Sequence, residues 1–348
     1  MSDTGPAPLL FTPLPLAGTE LKNRVVISPM CTYCCGHDGM PTDWHLVHLG
    51  KFAMGGAGTI FTEAAAVEPR GRITHGDAGI WSAEHAAAWR PITEFIKANG
   101  SLPAIQIAHA GRKASMQRPW HGNGPMNEND TARGETPWDV VAPSPVPSRE
   151  GWLMPHALEI DEIGGIVRAF AEATKHALDA GFEVLEVHSA HGYLSHSFLS
   201  PISNRRNDAY GGDLAGRMRF TLETVEAVRA AWPQDKPLFV RISSVDIDGD
   251  TDGEVWRLDD SVVLARELKA RGVDVIDCSS SGISGLGTAA QGVMPLGFRL
   301  PYAARIKHEA EIATMTVGLI LDGPQAEAML QTGDADLVAI GREALFDP

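Results

Sequence analysis

Two histidines and a tyrosine stand close together in the segment His188-Ser-Ala-His-Gly-Tyr193. The apolar run over residues 183–188 predicts a buried strand, so these side chains would emerge where the strand ends. Two imidazoles three residues apart can converge on one oxygen atom, and a nearby phenol can donate a proton. A metal site stays open at this point. Glu186 is the closest carboxylate, but the pattern alone does not show which side of the strand it faces.

Arg241 lies within the apolar segment Pro237-Leu-Phe-Val-Arg-Ile-Ser243. A guanidinium inside a buried strand is costly unless an anion lies beside it. The partner would be either a carboxylate of the core or a cofactor that becomes anionic in use, and the sequence leaves both open.

Two glycine-containing segments near the carboxyl end have the character of a phosphate site. Residues 318–323 and Gly341-Arg342 each follow an apolar run, and a short helical segment follows Arg342. Backbone N–H groups at such a helix start bind phosphate, and an arginine adds a forked cation. A glycine that ends a strand beside a surface arginine would explain the same pattern.

A repeating unit would position these residues: a helix-period segment, a glycine and a short apolar run, as in 272–278. Eight strand candidates lie near 25–28, 58–62, 104–108, 183–188, 238–243, 274–278, 316–320 and 336–340. One apolar helical stripe begins at Asp161 and ends at Gly181, and a second begins at Met218. Asp259 or Asp260 would cap a third helix. Eight strands alternating with helices predict a (β/α)8 TIM barrel, with an open doubly wound sheet as the alternative.

The interval from His109 to about Asp161 is rich in Pro, Gly, Asn and Trp. In a barrel it would be a long excursion after the third strand, serving as a lid over the catalytic face. The residues through Lys22 would close the opposite end. We expect one domain over residues 1–348, with a C-terminal tail beyond Pro348.

The bulk composition excludes several classes of protein. The net charge of −15 argues against nucleic-acid or anionic-membrane partners. Residues 1–8 lack a signal-peptide pattern and no apolar run reaches membrane-spanning length, so we expect a cytoplasmic protein. Cys31 and Cys34 form a C-x-x-C without a second pair, and we expect no metal.

Taken together, the strand-end residues resemble the Old Yellow Enzyme family, in its thermophilic-like, xenobiotic-reductase branch. The resemblance covers nearly the whole chain. Its motifs are Ser28-Pro-Met-Cys31, Gly79-Ile-Trp-Ser82, Gln106-Ile-Ala-His-Ala-Gly-Arg-Lys113, His188-x-x-His-Gly-Tyr193, Ser203-Asn-x-Arg-x-Asp-x-Tyr-Gly-Gly212 and Gly341-Arg342.

The resemblance implies FMN as cofactor and NADPH or NADH as hydride donor. The implied flavin-binding residues are Ser28, Pro29, Met30, Cys31, Ala64, Gln106 and Arg241, with Gly323, Gly341 and Arg342 at the phosphate. The implied substrate-binding residues are Tyr33, His188, His191 and Tyr193, with Trp81, Lys113, Arg118 and Trp120 as weaker candidates.

The implied reaction is the reduction of an electron-poor alkene such as an enone, enal, maleimide or nitroalkene. His188 and His191 would polarise its carbonyl, and Tyr193 would protonate the α-carbon. The family also implies a homodimer or homotetramer.

Two alternatives are a flavin redox sensor without turnover and a dienoyl-CoA-reductase-like enzyme with an iron–sulfur cluster. A dinucleotide fingerprint at Gly285-Leu-Gly287 is not expected, because no helix follows in register.

Overall fold

Eight parallel strands close into a barrel in this computed structural model, which describes residues 7–247, 252–283 and 294–348. A hairpin of β1 (Leu14–Leu16) and β2 (Thr19–Leu21) precedes it. The barrel strands are β3 (Val25–Ile27), β4 (Thr59–Ala66), β5 (Leu102–Ala108), β8 (Val184–Ser189), β9 (Leu238–Ser243), β10 (Val275–Ser279), β11 (Ala313–Val317) and β12 (Leu337–Ile340), and a short parallel pair, β6 (Val141–Ala142) and β7 (His156–Ala157), lies outside it. The predicted TIM barrel is confirmed, and the doubly wound sheet is excluded because β12 pairs with β3.

The helices alternate with the barrel strands along the chain. They are α1 (Asp43–Gly55), α2 (Ala83–Ala98), α3 (Glu128–Ala132), α4 (Ile160–Asp179), α5 (Leu194–Leu199), α6 (Leu214–Ala231), α7 (Leu258–Ala270), α8 (Leu300–Ala310), α9 (Gly323–Gln331) and α10 (Glu343–Phe346). Short 3-10 turns cover Leu9–Phe11, Pro69–Gly71, Gly111–Lys113 and Pro119–His121. None of the helices in the described ranges is long and apolar enough to cross a membrane.

The predicted seventh strand exists but begins three residues earlier than predicted. The interval 316–320 follows the apolar run after Thr316, whereas β11 covers Ala313–Val317. Gly318 has φ 119° and Leu319 has φ 51°, and neither value suits a strand. Thr314 and Thr316 are buried within β11, so two polar residues obscured its start in the sequence. The other seven predicted intervals agree more closely with their strands.

The helix predictions are confirmed except for the N-cap of α7. Helix α4 buries the predicted stripe, and Gly181 follows it at φ 86°. Arg257, rather than an aspartate, is the N-cap of α7. Asp260 lies three residues further on, where its carboxylate accepts a hydrogen bond from the Arg257 backbone N–H over 3.0 Å.

The barrel interior changes from apolar to polar along the strands. The apolar layer near the amino ends consists of Leu21, Val26, Phe61, Ala104, Val184, Phe239, Val275, Met315 and Leu337. Leu21 belongs to β2, so the hairpin closes this end as expected. Side chains two residues apart on a strand share a face. The next interior layer therefore holds Gln106, Glu186, Arg241 and Asp277, and the one above it His188, Ser243 and Ser279.

The excursion between β5 and α4 lies over the carboxyl ends of the strands. Its residues Met116, Gln117, Asn123, Arg149 and Trp152 line one cavity together with His191 and Tyr193. This is the position expected of the predicted lid. Gly285-Leu-Gly287, where no dinucleotide fingerprint was expected, lies outside the described residues.

Candidate active site

A tight turn after β8 brings the two histidines and the tyrosine together. His191 and Gly192 have φ values of 60° and 77°, and the Tyr193 N–H donates to the Ala190 carbonyl over 3.2 Å. The His188 and Tyr193 ring centroids lie 5.0 Å apart with perpendicular planes. The three predicted side chains therefore form one cluster.

A chain of hydrogen bonds connects the two imidazoles to β10. The Ala190 N–H donates to His188 Nδ1 over 3.2 Å, so the His188 proton resides on Nε2. That nitrogen lies 3.3 Å from His191 Nδ1, and His191 Nε2 lies 2.6 Å from Ser279 Oγ. Burial, and then the Arg241 cation, lower the pKa of both histidines well below the usual value. Both imidazoles are therefore neutral at neutral pH.

Tyr193 ends this turn, and Lys113 lies next to it. Burial raises the pKa of Tyr193 well above its usual value, so the phenol keeps its proton across the neutral range. Lys113 Nζ donates to the carbonyls of His191 over 2.6 Å and Gly282 over 2.9 Å, and it lies 5.5 Å from the Tyr193 ring centroid. Burial lowers the pKa of Lys113 to about 7. Lys113 thus supports the backbone of the turn and borders the same cavity.

Below the histidines lies a buried cluster of polar side chains. Gln106 Nε2 donates to Glu186 Oε1 over 2.7 Å, and Arg241 Nε lies 3.1 Å from Asp277 Oδ2. Arg241 Nη1 also lies 3.5 Å from Ser28 Oγ. Burial raises the pKa of Glu186 and of Asp277. Arg241 therefore has a core carboxylate as a partner, one of the two alternatives left open by the sequence.

One carboxylate holds the loop that carries Cys31 and Tyr33. Glu63 accepts hydrogen bonds from the Thr32 N–H over 3.0 Å, from the Tyr33 N–H over 3.4 Å and from the Thr32 hydroxyl. His45 Nε2 lies 3.2 Å from the same carboxylate. Because the Thr42 N–H donates to His45 Nδ1 over 2.9 Å, Nε2 carries the proton and donates to Glu63.

Cys31 and Tyr33 face the interior of the site. They pack with Tyr193 against Ile73 and Ala110. Burial, followed by the charges of Asp77 and Glu63, raises the pKa of the Cys31 thiol well above its usual value. Cys31 is therefore a neutral thiol here and not a reactive thiolate.

Two of the cavities lined by described residues lie at the carboxyl ends of the strands. The first has a volume of about 310 Å³ and is lined by Tyr33, Ile73, Thr74, Lys113, Met116, Gln117, Asn123, Arg149, Trp152, His191, Tyr193, Ser280 and Gly282. The second has a volume of about 500 Å³ and is lined by Arg299, Val317, Gly318, Leu319, Ile320, Leu321, Ala339, Gly341, Arg342, Glu343 and Phe346. The Arg299 Nε–H donates to Ser280 Oγ over 2.9 Å and so connects the two.

The second cavity contains two of the three residues that were predicted to bind phosphate. Gly341 and Arg342 line it, but Gly323 is exposed at the start of α9 and is not part of its wall. Leu319 and Leu321 lie in the loop between β11 and Gly323 and line the cavity. Gly323 follows them in the chain and lies outside the cavity wall.

Three of the four weaker substrate-binding candidates lie in or beside the first cavity, and the fourth does not. Lys113 lines the first cavity, and Arg118 Nη1 donates to the Tyr33 carbonyl over 2.9 Å. The Trp120 ring centroid lies 6.4 Å from that of Tyr33. Trp81 instead packs against His85, with ring centroids 4.2 Å apart, and is not among the residues that line either cavity.

Arg299, Ser279 and Glu63 lie in or beside the candidate site, and no sequence motif marks them. Ser279 and Glu63 follow short apolar runs in the sequence, where a single serine or glutamate is unremarkable. Arg299 follows Phe298 outside every predicted strand, so no signal marked it.

The family comparison covers the barrel and both cavities. The sequence model of the NADH:flavin oxidoreductase / NADH oxidase family matches residues 9–348. The NADPH dehydrogenase of Bacillus subtilis (strain 168) is 42% identical over 340 residues, which are 97% of this chain and 92% of that protein.

Solved structures agree with the sequence relatives. Morphinone reductase superposes with a TM-score of 0.78 at 28% identity, covering 97% of this chain and 87% of that one. The old yellow enzyme homologue from Zymomonas mobilis gives 0.77 at 26% identity, covering 96% and 89%. The resemblance to Old Yellow Enzyme is thereby confirmed. This chain belongs to the NADH:flavin oxidoreductase / NADH oxidase family and is an FMN-dependent oxidoreductase that uses a nicotinamide cofactor.

Proposed function

We propose that this enzyme reduces electron-poor carbon–carbon double bonds at the expense of NADPH or NADH. The observation that carries the proposal is the cluster of two neutral imidazoles and one protonated phenol beside the cavity of about 310 Å³. A carbonyl or nitro oxygen bound there would meet imidazole donors, and a carbon two bonds away would lie near a proton donor.

The residues around both cavities suit FMN. Glu186 Oε2 is buried and has no hydrogen-bond partner among the described residues, so the polar layer has bonding capacity left for a polar ring. Ser28, Pro29, Met30, Cys31, Ala64, Gln106 and Arg241 would hold the flavin ring. Gly341, Arg342 and Arg299 would hold the phosphate end. Bound FMN supplies the hydride-transfer chemistry.

The protein's own contribution is binding, orientation and proton transfer. His188 and His191 would donate hydrogen bonds to the substrate oxygen and draw electron density from the double bond. Tyr193 Oη would give its proton to the α-carbon, and its raised pKa keeps that proton available. Tyr33 would contribute to the wall of the same cavity. Because these roles need no net charge on the imidazoles, their lowered pKa values suit the proposal.

An anaerobic half-reaction experiment tests the proposal. The purified, FMN-loaded protein is reduced with NADPH, and cyclohexenone is then added while the flavin absorbance is followed. We expect reoxidation far faster than in buffer alone. Reoxidation at the buffer rate would overturn the proposal and favour a redox sensor, and an iron–sulfur absorbance would favour the dienoyl-CoA-reductase-like alternative.

Tyr193→Phe tests the proton donor separately. Removing the hydroxyl should slow reoxidation by the alkene by about 10²-fold, the lower end of the range for positioned proton donors. Flavin reduction by NADPH should stay nearly unchanged, because that step needs no proton from Tyr193. An equal loss in both half-reactions would show that Tyr193 is structural.

A further inference from the structure

The turn that presents His191 and Tyr193 depends on two buried side chains outside the substrate cavity. The His191 N–H donates to Ser243 Oγ over 2.9 Å, and the next N–H, that of Gly192, donates to His196 Nδ1 over 2.8 Å. His191 and Gly192 both have positive φ values. This conformation is strained for His191, so surrounding contacts must enforce it.

His196 is itself held by Asp246. His196 Nε2 lies 2.8 Å from Asp246 Oδ1, and both side chains are fully buried. Because the Gly192 N–H is a donor that cannot reverse, His196 Nδ1 must accept. Its single proton then resides on Nε2 and is donated to Asp246.

Asp246 is fixed in turn by two further donors. The Ser200 hydroxyl donates to Asp246 Oδ2 over 2.6 Å, and the Trp256 N–H donates to the same oxygen over 2.7 Å. The carboxylate thus links the loop after β9 to α5, and its buried charge is satisfied by three hydrogen bonds.

We infer that Asp246 and His196 form a positioning pair that sets the geometry of the 190–193 turn, and through it the reach of His191 and Tyr193. Asp246 selects the His196 tautomer that can accept from Gly192. This is the orienting role that a carboxylate takes beside a histidine in catalytic triads, here applied to a backbone N–H. The inference rests on the proposed function only for the roles of His191 and Tyr193.

Two substitutions of His196 separate positioning from general packing. His196→Leu removes both the acceptor and the donor and leaves the Gly192 N–H buried without a partner. His196→Gln keeps one acceptor and one donor in a side chain of similar length, so it should restore the turn. Ser195→Ala is the matched control, because the Ser195 hydroxyl bonds Ser189 and Thr221 and does not touch the turn.

The readout is the binding of a phenol to the oxidised, FMN-loaded protein, followed by its long-wavelength absorbance band. In the Leu variant we expect the dissociation constant to rise about tenfold, the equivalent of one lost buried hydrogen bond. Reoxidation by cyclohexenone should slow by a similar factor. The Gln variant and the Ser195→Ala control should stay within about threefold of the wild type. Equal losses in all three variants would overturn the inference.

Amide hydrogen exchange gives a measurement that needs no alkene chemistry. Mass spectrometry of peptides over residues 188–199 should show faster exchange in the Leu variant than in wild type and control. Unchanged exchange would overturn the inference even if the proposed function holds. A wild-type protein that neither binds a phenol nor reduces an enone would refute the proposed function. Amide hydrogen exchange would still test the positioning pair of Asp246 and His196 in that case.

Asp246→Asn provides a second variant if the Leu variant does not fold. An amide cannot accept from both His196 Nε2–H and the Trp256 N–H, since only one of its two atoms is an acceptor. We expect weaker phenol binding and faster exchange over 188–199, and wild-type values in both would contradict the inference.

Discussion

His188 Nε2 lies 3.3 Å from His191 Nδ1, and the proton between them belongs to His188. His191 therefore uses Nε2–H to donate to Ser279 Oγ in this arrangement. For both imidazoles to donate to one substrate oxygen, His191 must move its proton to Nδ1. The Ser279 hydroxyl can then reverse its role and donate to Nε2. The Ser279 hydroxyl can thus form a hydrogen bond with His191 Nε2 in either tautomer, and it supports the Nδ1–H form by donating to Nε2.

Ser279→Ala should weaken the binding of oxygen ligands. Without the hydroxyl, His191 Nε2 loses the donor that supports the Nδ1–H tautomer. We expect the dissociation constant of a phenol to rise about tenfold, consistent with one hydrogen bond. Titration of the long-wavelength band measures this value. Ser244→Ala serves as the control, because Ser244 is buried nearby and its hydroxyl bonds neither histidine. Equal affinity in Ser279→Ala and wild type would refute the tautomer argument.

Arg241→Met should lower both FMN affinity and stability. The substitution leaves Asp277 buried without its cation, a change that typically costs about 3–5 kcal/mol of unfolding free energy. Fluorescence of released flavin gives the FMN dissociation constant, and urea unfolding gives the stability. In the double variant with Asp277→Asn, stability should recover while FMN affinity stays low. Recovery of both would show that Arg241 serves only the core.

Lys113 should make stability depend on pH between about 7 and 10.5. The native amine loses its proton near pH 7, whereas the unfolded amine keeps it until about 10.5. Over that interval the unfolded chain binds more protons, so native stability rises with pH. Below pH 7 both states bind the proton and the contribution is flat. Urea unfolding at several pH values should show this rise in wild type relative to Lys113→Met. Parallel curves for the two proteins would contradict it.

Glu63→Gln should loosen the loop that carries Cys31. An amide retains one acceptor and places an NH2 group against backbone donors, which should cost about 1–3 kcal/mol of unfolding free energy. Loss of the charge also lowers the pKa of the Cys31 thiol toward its usual value, because Glu63 helps to raise it. Cys31 should therefore react faster with a thiol reagent. Glu68→Gln is the control, since Glu68 bonds Arg70 and His109. Unchanged reactivity in Glu63→Gln would exclude this role.

Much of the fold followed from local pattern. Buried parallel strands need continuous apolar runs, and glycines such as Gly181 end the helices before them. The alternation of helices and strands could therefore be predicted from the sequence. The clustering of strand-end residues also followed, because the strands of a barrel all end on one face. The seventh strand was the exception, since buried threonines hid its start.

Residue types and order by themselves determined the barrel, the family resemblance and the cluster of His188, His191 and Tyr193. The tertiary structure alone decided which side chains hold that cluster in place. Ser279, Asp246 and Arg299 come from other strands and loops, and their roles arise from hydrogen bonds of 2.6–2.9 Å across the fold. Such bonds depend on distance in space and carry no periodic signal along the chain, so only the folded arrangement reveals them.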